Sequence, residues 1–212
     1  MNIQYCSDLH LEFLDNRKWI LDNPIVSKGD ILILAGDIVL FKEVHQQQKF
    51  FDYVSEHFEH TFWIPGNHEY YNSDIFKRSG SFEEQISANV TLLNNTVKTI
   101  NGVKLVFSTL WSHISLEKQF IIQQSLSDFR VIRNNQKQLT VDDYNQIHSE
   151  CRLFLEEALK DKTNILDYWI YGHHHCNVSD FTVGKTKLVT NQLGYIKYNE
   201  NENFNSSRVI SI

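Results

Sequence analysis

Four short groups of residues in this 212-residue chain combine carboxylate, imidazole and amide side chains at spacings that can hold divalent metal ions. They are Asp8-x-His10, Gly36-Asp37, Gly66-Asn67-His68-Glu69 and Gly172-His173-x-His175. The two-residue spacings in Asp8/His10 and His173/His175 would put both side chains of each pair on one side of an extended segment, where each pair can grip one ion. Neighbouring glycines let backbone approach such a site closely. Mixed oxygen and nitrogen donors suit Mn²⁺, Fe²⁺ or Zn²⁺; a magnesium site would be poorer in nitrogen and a structural zinc site richer in sulfur. A carboxylate such as Asp37 can bridge two ions, and two ions ~3.5–4 Å apart are the usual device for in-line attack on phosphate. His68, next to the candidate ligand Asn67, is then free to protonate a leaving oxygen, with Glu69 to orient it. Taken singly, each group also reads as an ordinary turn, cap or surface tract.

The elements expected to carry these groups argue for the joint reading. Asn2–Cys6 reads as a short strand ending at Ser7-Asp8. Ile31–Ala35 is an unbroken apolar run, the pattern of a strand buried on both faces, and it ends at Gly36-Asp37. Val44–Phe58 places Val44, Phe50, Phe51, Val54 and Phe58 at helical spacing, and a strand at Thr61–Ile64 leads into Gly66-Asn67. Tyr168–Tyr171 leads into Gly172-His173. Each polar group therefore follows a strand, where α/β folds gather their ligands. Asn101-Gly102 predicts a hairpin between Val97–Ile100 and Val103–Phe107. Thr140 and Asp143 predict a capped helix running to about Lys160, with Tyr144, Ile147, Cys151, Leu155 and Leu159 on one stripe. A second hairpin is expected at Val178–Val183 and Thr186–Thr190, and Val209–Ile212 is expected to close a sheet edge. The order of elements predicts α/β layers with mixed sheets.

Composition bounds the reading. The length suits one domain, 1–212, since domains run to ~100–200 residues, and a chain this long can bury around 70% of its unfolded surface without a disulfide. Its longest apolar run, Ile31–Ala35, is far below the ~20 residues of a membrane helix. The N-terminal residues show no signal-peptide pattern, and three scattered cysteines, Cys6, Cys151 and Cys176, suit a reducing compartment, so a cytoplasmic location is expected. Net charge is −6 and no basic run exceeds two residues, which argues against an extended nucleic-acid footprint and favours a small soluble substrate, with no membrane partner expected.

The four motifs together resemble the signature of calcineurin-like metallophosphoesterases, across nearly the whole chain. The resemblance implies a four-layer α/β sandwich, two mixed sheets flanked by helices, with a dinuclear centre where the sheets meet. By that likeness Asp8, His10, Asp37 and His175 hold the first metal. Asp37, Asn67 and His173 contribute to the second, and His68 is the leaving-group acid. The implied activity is metal-dependent hydrolysis of a phosphomonoester or phosphodiester.

The chain departs from this pattern in one place. The family has a further strand ending in a metal-binding histidine before its last motif. Here only six residues separate Lys160 from Asp167, and no histidine falls between His148 and His173. One core strand is thus expected to be missing, and the second of the two ions to lack a protein ligand and be weakly held or absent. Water can fill the open position, or His113 can move in. A catalytically impaired scaffold or regulator on the same fold is the alternative reading. Sheet edges exposed by a lost strand raise the prospect of a homo-oligomer. Arg130 and Arg133 are candidates for binding substrate phosphate. Tyr70 and Tyr71 suit packing or a pocket wall, His148 a hydrogen-bonded helix position, and His174 a non-ligand.

Overall fold

The computed structural model describes residues 1–160 and 165–212. The first half runs β1 (Asn2–Cys6), α1 (Leu14–Asp22), β2 (Ile31–Ala35), α2 (Gln48–His57), β3 (His60–Ile64), β4 (Phe82–Ser87) and β5 (Val90–Asn94). A hairpin of β6 (Thr96–Ile100) and β7 (Val103–Phe107) follows, then α3 (Gln119–Ser125), α4 (Asp128–Val131) and a small ribbon of β8 (Arg133–Asn134) and β9 (Lys137–Gln138). The chain continues through α5 (Val141–Ala158), β10 (Tyr168–Tyr171), β11 (Phe181–Val183), β12 (Thr186–Thr190) and β13 (Val209–Ser211).

Two mixed sheets form the frame. The first has the order β13-β1-β2-β3-β5-β4, the second β11-β12-β10-β7-β6. In both, the inner strands are parallel and the outermost pair on each edge is antiparallel. The unbroken apolar sequence of β2 follows from its place between two cores. Leu32 and Leu34 pack outward with Ile20 of α1 and with Phe51 and Val54 of α2. Ile33 and Ala35 pack inward with Phe107, Ile170 and Val189 of the second sheet. A third cluster, Tyr70, Trp111, Phe129, Ile132, Val141 and Tyr144, seats the first half of α5.

Local expectations hold with adjustments. Asn101 and Gly102 both have positive φ, 48° and 82°, as the tight hairpin between β6 and β7 requires. The Thr140–Asp143 capping box is formed, each side chain or hydroxyl meeting the other's backbone N–H. The expected Val44–Phe58 helix is split, its first part being a 3₁₀ turn, Phe41–Gln47, that passes into α2. The expected stripe on α5 is buried only as far as Cys151; Ile147 and Leu155 are half-buried and Leu159 is exposed. β11 starts at Phe181 rather than Val178. Residues 161–164, within the connection read as too short for a strand, lie outside the described residues.

Candidate metal centre

β1, β2, β3 and β10 are neighbours or face one another, and the polar residues following them converge at one end of the two sheets. The two-residue pairs are not extended there. Asp8, His10, Asp37, His173 and His175 all have left-handed backbones, with φ of 56°, 47°, 54°, 83° and 49°. The other positive-φ residues besides glycine are Asn or Gln among the described residues, and such a backbone is uncommon for any residue with a side chain, though Asn, Asp and His adopt it most readily. Strain gathered on five Asp and His residues marks a site that the surrounding fold holds in place. Two glycines make room for it. A Cβ on Gly66 would lie 2.1 Å from Asp37 Oδ1, and one on Gly172 would lie 2.4 Å from Asp8 Oδ2.

Asp8, His10 and His175 offer ligand atoms within 4.8 Å of one another. His175 Nε2 lies 3.3 Å from Asp8 Oδ1, and His10 Nε2 faces His175 Nε2 at 3.0 Å. The far nitrogens of both rings are engaged by carboxylates: His10 Nδ1 by Glu12 at 3.1 Å and His175 Nδ1 by Glu200 at 2.6 Å. Protons on those Nδ1 atoms leave both Nε2 lone pairs pointing at each other, an arrangement that a cation relieves. A carboxylate behind a ligating imidazole is also what metal-bound histidines usually have. Asp37 Oδ1 accepts from the His68 N–H at 2.9 Å, while its Oδ2 lies 3.7 Å from His173 Nδ1. Burial alone would raise the Asp37 pKa, but His173, His68 and His10 hold it well below the usual carboxylate range.

Asn67 supplies the second sign of a cation. Its Nδ2 donates to Asp128 Oδ1 at 3.0 Å, which fixes the amide orientation, and its Oδ1 is buried with no hydrogen-bond partner. Buried amide oxygens are rarely left so, and a cation held with Asp37 and His173 satisfies it. The donor set therefore fits divalent ions.

His68 is held on every side. Its ring stacks on Tyr71 at 4.1 Å, Nδ1 meets Glu12 Oε1 at 2.8 Å, and Nε2 lies 3.2 Å from the Tyr195 hydroxyl. Burial opposes its charged form, but the Glu12 hydrogen bond and the charges of Asp37, Glu12 and Glu69 outweigh that and raise its pKa to about 9. The carboxylate orienting His68 is thus Glu12, and the expectation for Glu69 is corrected. Glu69 is fully buried, with Oε2 accepting from the N–H of Asp37 and Gly66 and Oε1 from Ile38 N–H and Trp63 Nε1. It ties the β2 and β3 loops together and has no lone pair aimed at His68.

The two arginines are also corrected. Arg130 is exposed and turned back onto the carbonyls of Gln124 and Ser125, and Arg133 is exposed on β8; neither lines the cavity at the centre. Among the described residues, His113 brings no ligand atom there either; it lies ring-edge against His148, which bonds to the Trp111 carbonyl. Tyr70 is core, with its hydroxyl on the Arg78 carbonyl, whereas Tyr71 and Tyr195 wall the site cavity. His174 is exposed beside His173. Glu12, Asp128, Tyr195 and Glu200 were not foreseen. Glu12 follows Asp8-x-His10 at the same two-residue interval, a signal that was available; the others come from distant loops.

The chain matches the calcineurin-like phosphoesterase family over residues 1–177 and belongs to it. It is 30% identical, over an alignment of 275 positions, to an uncharacterized protein, L509, of Acanthamoeba polyphaga mimivirus, covering 99% of this chain and 96% of that one. An alignment longer than 212 residues means that the relative carries residues with no counterpart here. The fold is similar to the crystal structure of phosphopantetheinyl hydrolase from Mycobacterium tuberculosis, with a TM-score of 0.67 at 14% identity over 99% of this chain and 95% of that one. That likeness concerns the fold. Among the described residues no helix is long and apolar enough to cross a membrane.

Proposed function

We propose that the protein hydrolyses a small phosphate ester with the help of two divalent metal ions, in a reducing, cytoplasmic setting. The observation that carries this reading is that Asp8, His10 and His175 offer ligand atoms within 4.8 Å of one another beside a cavity lined by Asp37, Asn67, His173 and His175, where the buried Asn67 Oδ1 has no hydrogen-bond partner. Asp8, His10, Asp37 and His175 would hold one ion. Asp37, Asn67 and His173 would hold the other, with a position left for water. Bound there, the ions would supply hydroxide from water and neutralise the phosphoryl oxygens.

The chain's own residues do the rest. Glu12 keeps the His68 proton-bearing ring fixed through Nδ1, so the Nε2 proton is the one available to a departing alkoxide. The Tyr195 hydroxyl beside Nε2 marks where that oxygen would sit. Tyr71 stacked on the ring prevents it from turning away. A retired scaffold would have no use for an acid held by three partners, and that favours the enzyme over the scaffold reading.

The test is Mn²⁺-dependent hydrolysis of a chromogenic phosphodiester, with Asp37→Asn alongside. Turnover that needs metal and disappears in the variant supports the proposal. Absence of turnover at millimolar metal would transfer the case to a non-catalytic binding protein on this fold.

A further inference from the structure

Two cavities meet at the centre, and they differ in character. The cavity beside His68, about 310 Å³, also contains Tyr195 and Asp128. The other, about 300 Å³, shares Asp37, Asn67 and His173 with the first but not His68 or Tyr195, and its wall includes Trp169, Trp111, Leu110, Phe181 and Leu188. Its origin lies in the second sheet. β7 and β10 pair only at Tyr168↔Leu105 and Trp169↔Val106, whereas β10 and β12 pair at four positions. Past Trp169 the two parallel strands part, and the residues after β7 and at the end of β10 line the opening. The Trp169 indole is held at the gap, Nε1 lying 3.4 Å from the Ser108 carbonyl.

The two cavities correspond to two substituents on one phosphorus. The departing alcohol belongs on the His68 side, where its oxygen can be protonated. A monoester has no second organic group and would leave the apolar cavity unused. We infer that the substrates are phosphodiesters whose retained ester group is an apolar aromatic ring, seated against Trp169 and Phe181 while the phosphate stays at Asp37, Asn67 and His173. Aromatic side chains in the lining suit a flat aromatic partner, and a volume of this size suits one or two rings. In the reaction water adds to phosphorus and the P–O bond to the departing alcohol breaks. The His68 proton goes to that alcohol, the water proton restores His68, and the aryl monoester remains.

This inference rests on the phosphoesterase reading, so the experiment separates the two. The Mn²⁺-loaded full chain is given 4-nitrophenyl phenyl phosphate and 4-nitrophenyl methyl phosphate, which share a leaving group and differ only in the retained arm. In parallel, calorimetry measures binding of the products, phenyl phosphate and methyl phosphate. Burying the ring predicts a preference for phenyl of roughly 10- to 100-fold in kcat/KM and in affinity. Trp169→Ala and, separately, Phe181→Ala should reduce that ratio to within about threefold; Phe181 is 45% exposed, so its replacement leaves the core intact. Equal values for the two arms in the wild type, or a ratio unmoved in both variants, would overturn the inference while leaving the phosphoesterase reading in place. If neither diester is hydrolysed, 4-nitrophenyl phosphate separates the readings: its turnover would overturn the diester inference and keep the phosphoesterase reading, and no turnover of any of the three would overturn both.

Discussion

At the scale of single residues, the candidate ligands are held by side chains outside the proposed ligand set. Asp128 accepts from the Asn67 Nδ2 and so fixes which way the amide points, and Tyr71 donates to the same Asp128 oxygen at 2.8 Å. Asp128→Ala should weaken metal binding by roughly 10- to 100-fold, the usual cost of losing the group behind a ligand. Titration of the two sites by calorimetry checks this, and a selective loss in the weaker site is the expected pattern. On the proposed role of His68 as proton donor and not ligand, His68→Ala should lower turnover by about 10²–10⁴-fold with metal content unchanged. Metal analysis of the purified variant separates the two roles, and loss of bound metal would show that His68 is a ligand. Glu12 couples these residues, since one of its oxygens accepts from both His10 and His68.

At the scale of elements, strands deliver the ligands and helices set the edges of the site. Asn16 of α1 donates to the carbonyls of Leu9 and Gly194 at 3.0 and 2.8 Å, joining the loop of His10 to the loop of Tyr195. α5 is anchored at its start, where Thr140 and Asp143 satisfy each other's backbone N–H. Thr140→Ala should cost about 1 kcal/mol in urea unfolding with an unchanged slope, the ordinary value of an N-cap. A change under 0.3 kcal/mol would mean that packing of Val141 and Tyr144 alone holds that end. Which elements were legible from the sequence follows from burial. β1, β2, β10 and the β6–β7 hairpin carry apolar runs or an Asn-Gly turn, and these signals are local. β4 reads Phe-Glu-Glu-Gln-Ile-Ser, an edge strand whose exposed charges resemble a loop and discourage pairing with another chain. α1 was illegible because Leu14 and Leu21 are exposed while Asn16 is buried, which breaks the helical stripe.

At the scale of the whole molecule, protons and metal compete for one centre. In the metal-free protein His68 is raised to about 9, chiefly against its own burial, by Glu12 and neighbouring carboxylates. His173 is raised by Asp37, and His175, despite burial, by Asp8 and Glu200. Groups raised on folding contribute stability that is complete below the unfolded value of ~6.5 and is lost as pH climbs through the folded values. Metal needs the neutral rings of His173 and His175, so its contribution grows over the same rise in pH. Melting temperature should therefore fall between pH 6.5 and about 9 in chelator and rise or level off there with Mn²⁺ present. Parallel curves in the two conditions would refute the competition.

The sequence by itself determined the donor chemistry and the strands that present it, because each motif is a few consecutive residues at the end of a locally recognisable apolar run. It also shows that no histidine falls between His148 and His173. Tertiary structure alone decided who supports those donors. Glu12 and His68 are 56 residues apart, Asn67 and Asp128 61, and Tyr195 and His68 127. Such pairs leave no periodicity in a single chain, and a carboxylate like Glu69 reads the same whether it faces a catalytic ring or five N–H donors. The second cavity was likewise invisible, since it arises from the parting of two strands that are each ordinary in sequence.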